Sequence, residues 1–481
     1  MRNRRLSRLL ISFLLVLGGC DSGGSTSSQD TLEPPEVDAT NTDTVSDVVV
    51  GESPFGEEVV GVKLELTAEA WAAILAAPLD ETFQQGAIEY DGVRVENVGI
   101  RVKGNSSLKS VADSGSTRFS FKVDMNEYVS GQKLLGVKKL NFNNSFKDPT
   151  FLREVLGYEV ATWLGLPAPR TTFADLTVAG THLGLFVVVE QVDSEFIERT
   201  FQDTTGDLYK PEPPAGGLAY TGDDALTYTG LELKTNETTS DHSAFMALLK
   251  ALDSQDAAMI EASLDVDRAI SYLAMNAVLT NLDSYNGPGH NYYLYEEGGR
   301  FTVIPWDMNE AFGAFNCGCD RTGLVEYPID EPSCGRLSER PLLGAILDNA
   351  EWRAAYHERM RAVLDGPLAE PGWSARIAEL ADRIRPTVQA DPTKFYSETL
   401  FEQALTQDVT LTGPMAAISL GLGAFAAERG ASVRAQLAGT TPSTAATDGA
   451  CPSNSPNPCG DGVCDAFETA NPQACPRDCG G

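Results

Sequence analysis

Residues 281–313 run NLDSYNGPGHNYYLYEEGGRFTVIPWDMNEAFG, and the rest of the chain is organised around them. An apolar helical pattern leads into Asp283, a Tyr-rich strand pattern begins at Asn291, and a second strand pattern ends just before Asp307. One hairpin-like unit therefore delivers three oxygen side chains, spaced Asp-x7-Asn-x15-Asp. Oxygen donors of this kind suit Mg²⁺, which takes one or two carboxylates and completes its shell with phosphate and water. The layout is that of a metal–nucleotide site, so the rest of the chain has to supply the nucleotide side.

Composition narrows the field. At 481 residues with 42% apolar content the chain can bury a large core, and its formal charge of -32 disfavours nucleic acid as a partner. An acidic balance of this size repels ATP as well, so a nucleotide needs local lysine, arginine or metal. The same balance points to a basic protein substrate.

The N-terminus, MRNRRLSRLLISFLLVLGGC, has four arginines in eight residues and then a short apolar run, the pattern of a signal peptide. Its Leu-Gly-Gly-Cys ending is that of a bacterial lipobox, so residues 1–20 are expected to be a lipoprotein signal with Cys20 lipidated and the mature protein held at a membrane. Residues 21–55 are a polar, acidic tether expected to be disordered. Residues 439–458 form a second linker, and 459–481 a cysteine-rich module whose Asp461, Asp465 and Glu468 are candidate Ca²⁺ ligands without EF-hand spacing. Export implies disulfides. Cys317 or Cys319 is expected to reach Cys334, and the other of the two Cys451.

Between the linkers the pattern is strand-rich over 56–240 and mainly helical over 241–438, which makes an α+β fold. The strand VRVENVGIRVKG runs into the turn Lys103-Gly104-Asn105-Ser106-Ser107, whose small residues let backbone N–H groups approach an anion. RFSFKV places Lys122 between apolar neighbours, where a lysine is ordinarily solvated but can also meet phosphate. A helix opened by Pro149 and closed by Gly165 carries Arg153 and Glu154 near its start, where a surface position is unremarkable. A further strand ends at Glu190.

Taken together, GIRVKGNSS, RFSFKVD, LNFNNSFKDPTFLREVLGYEV, HLGLFVVVEQVD, GDLYK, the Asp283–Tyr295 segment and FTVIPWDMNEAFG resemble the spore coat protein H (CotH) kinase family, in family order over roughly residues 95–315. The resemblance implies an atypical protein-kinase-like, bilobal fold with a strand-rich N-lobe and a helical C-lobe. It implies ATP and Mg²⁺ or Mn²⁺ as cofactors and Ser or Thr of an exported protein as acceptor. Asp283 would be the catalytic base, Asn291 a metal ligand and Asp307 the main metal ligand. Lys122 would contact phosphates with Glu154 orienting it, residues 103–107 would cover the phosphates, and the strand ending at Glu190 would hold the adenine edge. The family pattern expects an acid two residues after Asp307, whereas this chain has Asn309, whose carbonyl coordinates without bringing charge. His290 is expected to be structural or substrate-side, since four histidines without suitable spacing do not make a zinc site. The alternative reading is a surface-binding or adhesion protein that keeps the fold without turnover.

Overall fold

The computed structural model describes residues 53–412 and 417–445. Cys20, the signal peptide, most of the tether, Cys451 and the cysteine-rich module with its Ca²⁺ candidates lie outside the described residues.

Seven strands form the first sheet, most of them alternating and β7 apolar on both faces: β1 (Val59–Glu65), β2 (Gln84–Tyr90), β3 (Val93–Lys103), β4 (Ser120–Asp124), β5 (Lys139–Asn143), β6 (Thr171–Val178) and β7 (Thr181–Glu190). They close into a barrel in the order β1-β2-β3-β4-β5-β7-β6. Neighbours are antiparallel except where β1 meets β6 in parallel, Val59 opposite Phe173. One face of each strand fills the barrel, with Val98, Ile100, Val102, Phe121, Val123, Leu140, Phe142, Phe186 and Val188 in one apolar core. Because side chains alternate across a strand, Arg101, Lys103, Lys122, Asn141 and Asn143 must then lie on the outer face.

Around the barrel lie α1 (Ala68–Ala76), capped by the Thr67 hydroxyl, α2 (Ser106–Asp113), α3 (Arg153–Trp163) and α4 (Ser194–Thr200). The hairpin expected in 281–313 forms as β10 (Tyr292–Glu297) and β11 (Arg300–Pro305). It joins β8 (Leu208–Pro211) and β9 (Leu231–Leu233) in a second sheet of order β11-β10-β8-β9. Helices α5 (Ser243–Ser254), α6 (Ala257–Ser263) and α7 (Val266–Val278) lead into that hairpin. After it come α8 (Arg321–Val325), α9 (Pro341–Asp348), α10 (Ala350–Asp365), α11 (Gly372–Ala390), α12 (Glu398–Ala404), the short pair β12 (Val409–Leu411) and β13 (Ala417–Ser419), and α13 (Leu422–Leu437). The chain is thus mixed α+β. Among the described residues no helix is long and apolar enough to cross a membrane.

The larger core includes the outward side chains Phe173, Leu185, Val187 and Val189 of β6 and β7 together with α3, α7, the hairpin and the later helices. The barrel is therefore joined to the helical part through one of its outer walls. Two buried arginines fasten the join, and a third ties elements of the helical part to one another. Arg118 meets Asp391 at 2.9 Å with both side chains fully buried. Arg153 donates to the carbonyls of Ala311 and Phe312 at 3.1 and 3.0 Å, and Arg429 to those of Val325, Tyr327 and Ala277. The Cys317–Cys334 disulfide forms, with 5.9 Å between the Cα atoms. Cys319 is disulfide-bonded too.

Two local expectations change. The third helix begins at Arg153, because Asp148, and not Pro149, organises its start by accepting from the backbone N–H of Thr150 and of Arg153, both at 2.9 Å. Arg153 and Glu154 are only 0% and 3% exposed, so they are not surface residues.

Candidate active site

Helix α3 points Glu154 toward the outer face of the barrel. Asn143, at the end of β5, donates to both Glu154 oxygens at 3.0 and 2.8 Å and accepts from Lys103 Nζ at 2.8 Å. Lys103 is thereby tied to Glu154 through an amide, and it also lies 6.0 Å over the Trp306 ring. Burial depresses the Lys103 ammonium, and Asp307 and Glu154 pull the other way. Burial raises the Glu154 carboxyl, reinforced by Asp307. Both groups shift toward neutrality, so their mutual attraction does not offset burial.

Lys122 stands beside this link and is not part of it. It pairs across the sheet with Arg101 on one side and Asn141 on the other. Burial pushes its ammonium down to about 7, with Arg101, Lys103 and Lys139 adding to the effect. Arg101 is paired with Glu81 and Lys139 lies 3.4 Å from Asp124, so the cluster is partly matched, and a phosphate beside Lys103 and Lys122 would add further counter-charge. Gly104, at φ 133°, turns the chain from Lys103 into α2, and a Cβ there would come within 3.0 Å of Ser107 Oγ. Asn105, Ser106 and Ser107 form that first turn of α2, with no side-chain cap from Asn105. Glu190 is placed elsewhere in its chemistry: its carboxylate is taken by Arg170 at 2.7 Å and Arg199 at 2.8 Å.

Across from the lysines, the loop after α7 presents Asp283. Asn291, in the left-handed region at φ 57°, donates to both the Asp283 carbonyl (2.9 Å) and its carboxylate (3.0 Å), which closes the loop. Arg340 donates to the carbonyls of Tyr285 and Gly287 and supports the loop from behind. His290 meets Asp283 at 2.7 Å and Glu212 at 3.7 Å, so it bridges two carboxylates. Those charges outweigh burial and raise the imidazole to about 10. Glu212 is also paired with Lys210.

The backbone N–H of Trp306 bonds the Asn291 carbonyl at 3.2 Å, which sets Asp307 beside Asn291. Asp307 adopts φ 55° and its N–H donates to Tyr158 Oη at 2.9 Å. Burial raises its carboxyl, and Asp283 adds to that while Lys103 and Lys210 oppose it. Asn309 is part-exposed in the turn that follows, whereas Glu310 is 9% exposed and interacts with both Asp283 and Asp307.

The donor set can be tested for a hard divalent cation. Asp307, Asp283, Glu154 and Glu310 interact unfavourably with one another, which a cation would relieve. Among the described residues no three His, Cys, Asp or Glu side chains are gathered closely enough to hold an ion alone. An ion here would take Asp307 and the Asn291 side-chain oxygen and complete its shell from water and phosphate, as Mg²⁺ does. The residues fit on those terms.

Asp283, Asn291 and Asp307 come together, whereas Glu154 is linked to Lys103 through Asn143 and not to Lys122 as expected. The sequence reading passed over Asn143, Lys210, Glu212, Lys147 and Glu310. Only Glu310 had a signal, as an acid displaced by one position from the expected one.

The barrel wall that carries Lys103 and Lys122 thus faces the loop and hairpin that carry Asp283, Asn291 and Asp307. Residues 100–410 match the model of the CotH kinase protein family. The chain belongs to that family. It is 26% identical over 268 residues to the inner spore coat protein H of Bacillus subtilis (strain 168), covering 54% of this chain and 71% of that protein. It is 24% identical over 266 residues to the inner spore coat protein H-like protein of the same organism, covering 55% and 74%.

Proposed function

We propose that this protein is an ATP-dependent protein kinase that phosphorylates Ser or Thr of an exported, basic protein substrate. The observation that carries the reading is the Lys103–Asn143–Glu154 link set beside Asp307, with Asp283 across from it. The barrel with α3 corresponds to the nucleotide half of an atypical kinase-like arrangement, and the hairpin with its helices to the catalytic half.

In this reading Lys103 and Lys122 hold the phosphates, and Glu154 sets Lys103 through Asn143. Asp283 accepts the proton of the acceptor hydroxyl as its oxygen bonds to the γ-phosphorus and the bond to the leaving ADP oxygen breaks. Asp307 and Asn291 would hold a Mg²⁺ or Mn²⁺, which would supply neutralisation of charge on the phosphates. His290 orients Asp283 as Asn291 does. The Cys317–Cys334 disulfide supports export, and the N-terminal sequence supports a lipid anchor.

Transfer from γ-labelled ATP to a basic protein acceptor, with Mg²⁺ or Mn²⁺, tests this. Wild type is expected to incorporate label, and Asp283→Ala and Asp307→Ala to lose at least about 100-fold while staying folded. Equal incorporation by all three would sink the proposal. No incorporation, together with no ATP binding by wild type, would favour the adhesion reading.

A further inference from the structure

The turn that leaves β5 is rigid and points a lysine at the site. Ser145 sits at φ 55°. Asn144 donates to the Arg118 carbonyl at 2.7 Å, Tyr396 Oη to the Phe146 carbonyl at 2.5 Å, and Asp148 accepts from the N–H groups that open α3. Fastened on both sides, the turn extends Lys147 to Glu310, with Nζ–O distances of 2.9 and 3.1 Å, and lays it 5.8 Å over the Phe315 ring. Lys147 follows a barrel strand and Glu310 follows Asp307, so this ion pair bridges the two halves of the molecule at the site itself. The charge of Lys147 also acts on Asp283.

Stability alone is a poor reason for such a pair. Desolvating two charges costs about as much as their attraction returns, and an apolar pair of the same volume does as well or better. Phosphoryl transfer supplies a reason. Negative charge spreads over the three equatorial oxygens of the moving group, and a fixed cation beside them stabilises the transition state. Lys103 and Lys122 belong to the barrel wall near Glu154 and Asp307, whereas Lys147 stands on the Asp283 side, where the acceptor oxygen would arrive.

We propose that Lys147 is a catalytic residue that contacts the γ-phosphoryl group as it transfers, and that Glu310 is the positioning residue that holds it there. The inference rests on the nucleotide reading above and assigns a further residue to the same site. Glu310 then also replaces, one position along, the charge that Asn309 lacks.

The test uses the full chain with Lys147→Met, Lys147→Arg and Glu310→Gln. Affinities for ATP and for ADP, each with Mn²⁺, are measured by calorimetry, alongside turnover and thermal midpoint. Lys147→Met is expected to weaken ATP by roughly tenfold, leave ADP within about twofold, and lower kcat by about 100-fold, beyond whatever fall in midpoint the unpaired Glu310 causes. Lys147→Arg should recover most of the ATP preference, and Glu310→Gln should lose part of it. If Lys147→Met leaves both the ATP-over-ADP preference and kcat at wild-type levels, the proposal is wrong. It is equally wrong if ATP and ADP weaken together with the midpoint and Arg restores nothing, which is the behaviour of a structural ion pair. Should Lys147→Met not fold, an unchanged ATP preference in Glu310→Gln overturns the assignment. Failure of the wild type to bind either nucleotide would instead bring down the kinase reading, and this one with it.

Discussion

Lys122 and Lys103 divide between them what the sequence reading asks of one lysine. Lys103 is the one tied to Glu154 through Asn143, and Lys122 is the one left among Arg101, Lys103 and Lys139. The Lys122 ammonium is pushed down to about 7, so it is partly neutral in the free protein near neutral pH. An incoming triphosphate would favour its charged form and raise its pKa again. Nucleotide binding is therefore expected to take up a proton at pH 7–9, with affinity level below about pH 7 and falling as pH rises above it. Calorimetry in two buffers of different ionisation enthalpy measures that uptake, and no uptake at pH 8 would contradict the placement. Folding has the opposite sign. A lysine depressed in the folded state costs stability while the unfolded chain is protonated, so its penalty fades as pH rises from about 7 toward 10.5.

Asp283, Asn291 and Asp307 were legible as candidates because they are consecutive chemical features of one hairpin, and local spacing shows such features. Lys103 was legible only as part of a turn, since nothing in its sequence says that Asn143, forty residues on, will reach it. Lys147 carried no readable role and Glu310 only that of a displaced acid, because their pairing spans 163 residues.

At the scale of the element, α3 does the most positioning. Its residues Glu154, Gly157 and Tyr158 lie on one face, toward Asn143, Met308 and Asp307. A Cβ on Gly157 would sit 2.8 Å from Met308 Cβ, so only glycine lets the helix approach the turn that carries Asp307. Gly157→Ala is expected to destabilise the fold by about 1–3 kcal/mol through overpacking. It should also weaken ATP binding more than the stability loss accounts for, because Asp307 and Glu154 move apart. Urea unfolding together with calorimetry checks both, and a variant with unchanged affinity would show that α3 does not set the site. The helix itself was legible from the spacing of Val155, Leu156 and Val160. Its buried charged start was not, because Arg153 finds its partners beyond residue 310.

Across the whole molecule, the α+β character and the passage from strands to helices were readable from periodicity. Closure of the strands into a barrel was not, since it depends on β1 pairing in parallel with β6, a contact between residues such as Val59 and Phe173. What keeps the barrel in place against the helical part includes the fully buried Arg118–Asp391 pair, with Asp391 also accepting from the Leu185 N–H at 3.0 Å. Removing one partner leaves the other charge buried, so Asp391→Leu is expected to cost about 3–5 kcal/mol in urea unfolding. A loss under about 1 kcal/mol would mean that the join does not rest on this pair.

In the proposed function the cations of the barrel wall and the oxygens of the hairpin hold one metal–nucleotide complex. Calorimetric titration of ATP with Mn²⁺ into wild type and Asp307→Asn tests that most directly. The prediction is one ATP per chain for wild type, metal-dependent, with at least about tenfold weaker binding in the variant and an unchanged thermal midpoint, since a carboxylate on a bound metal is worth more than an ordinary hydrogen bond. Metal-independent binding of equal strength in both proteins, or none in either, would contradict it.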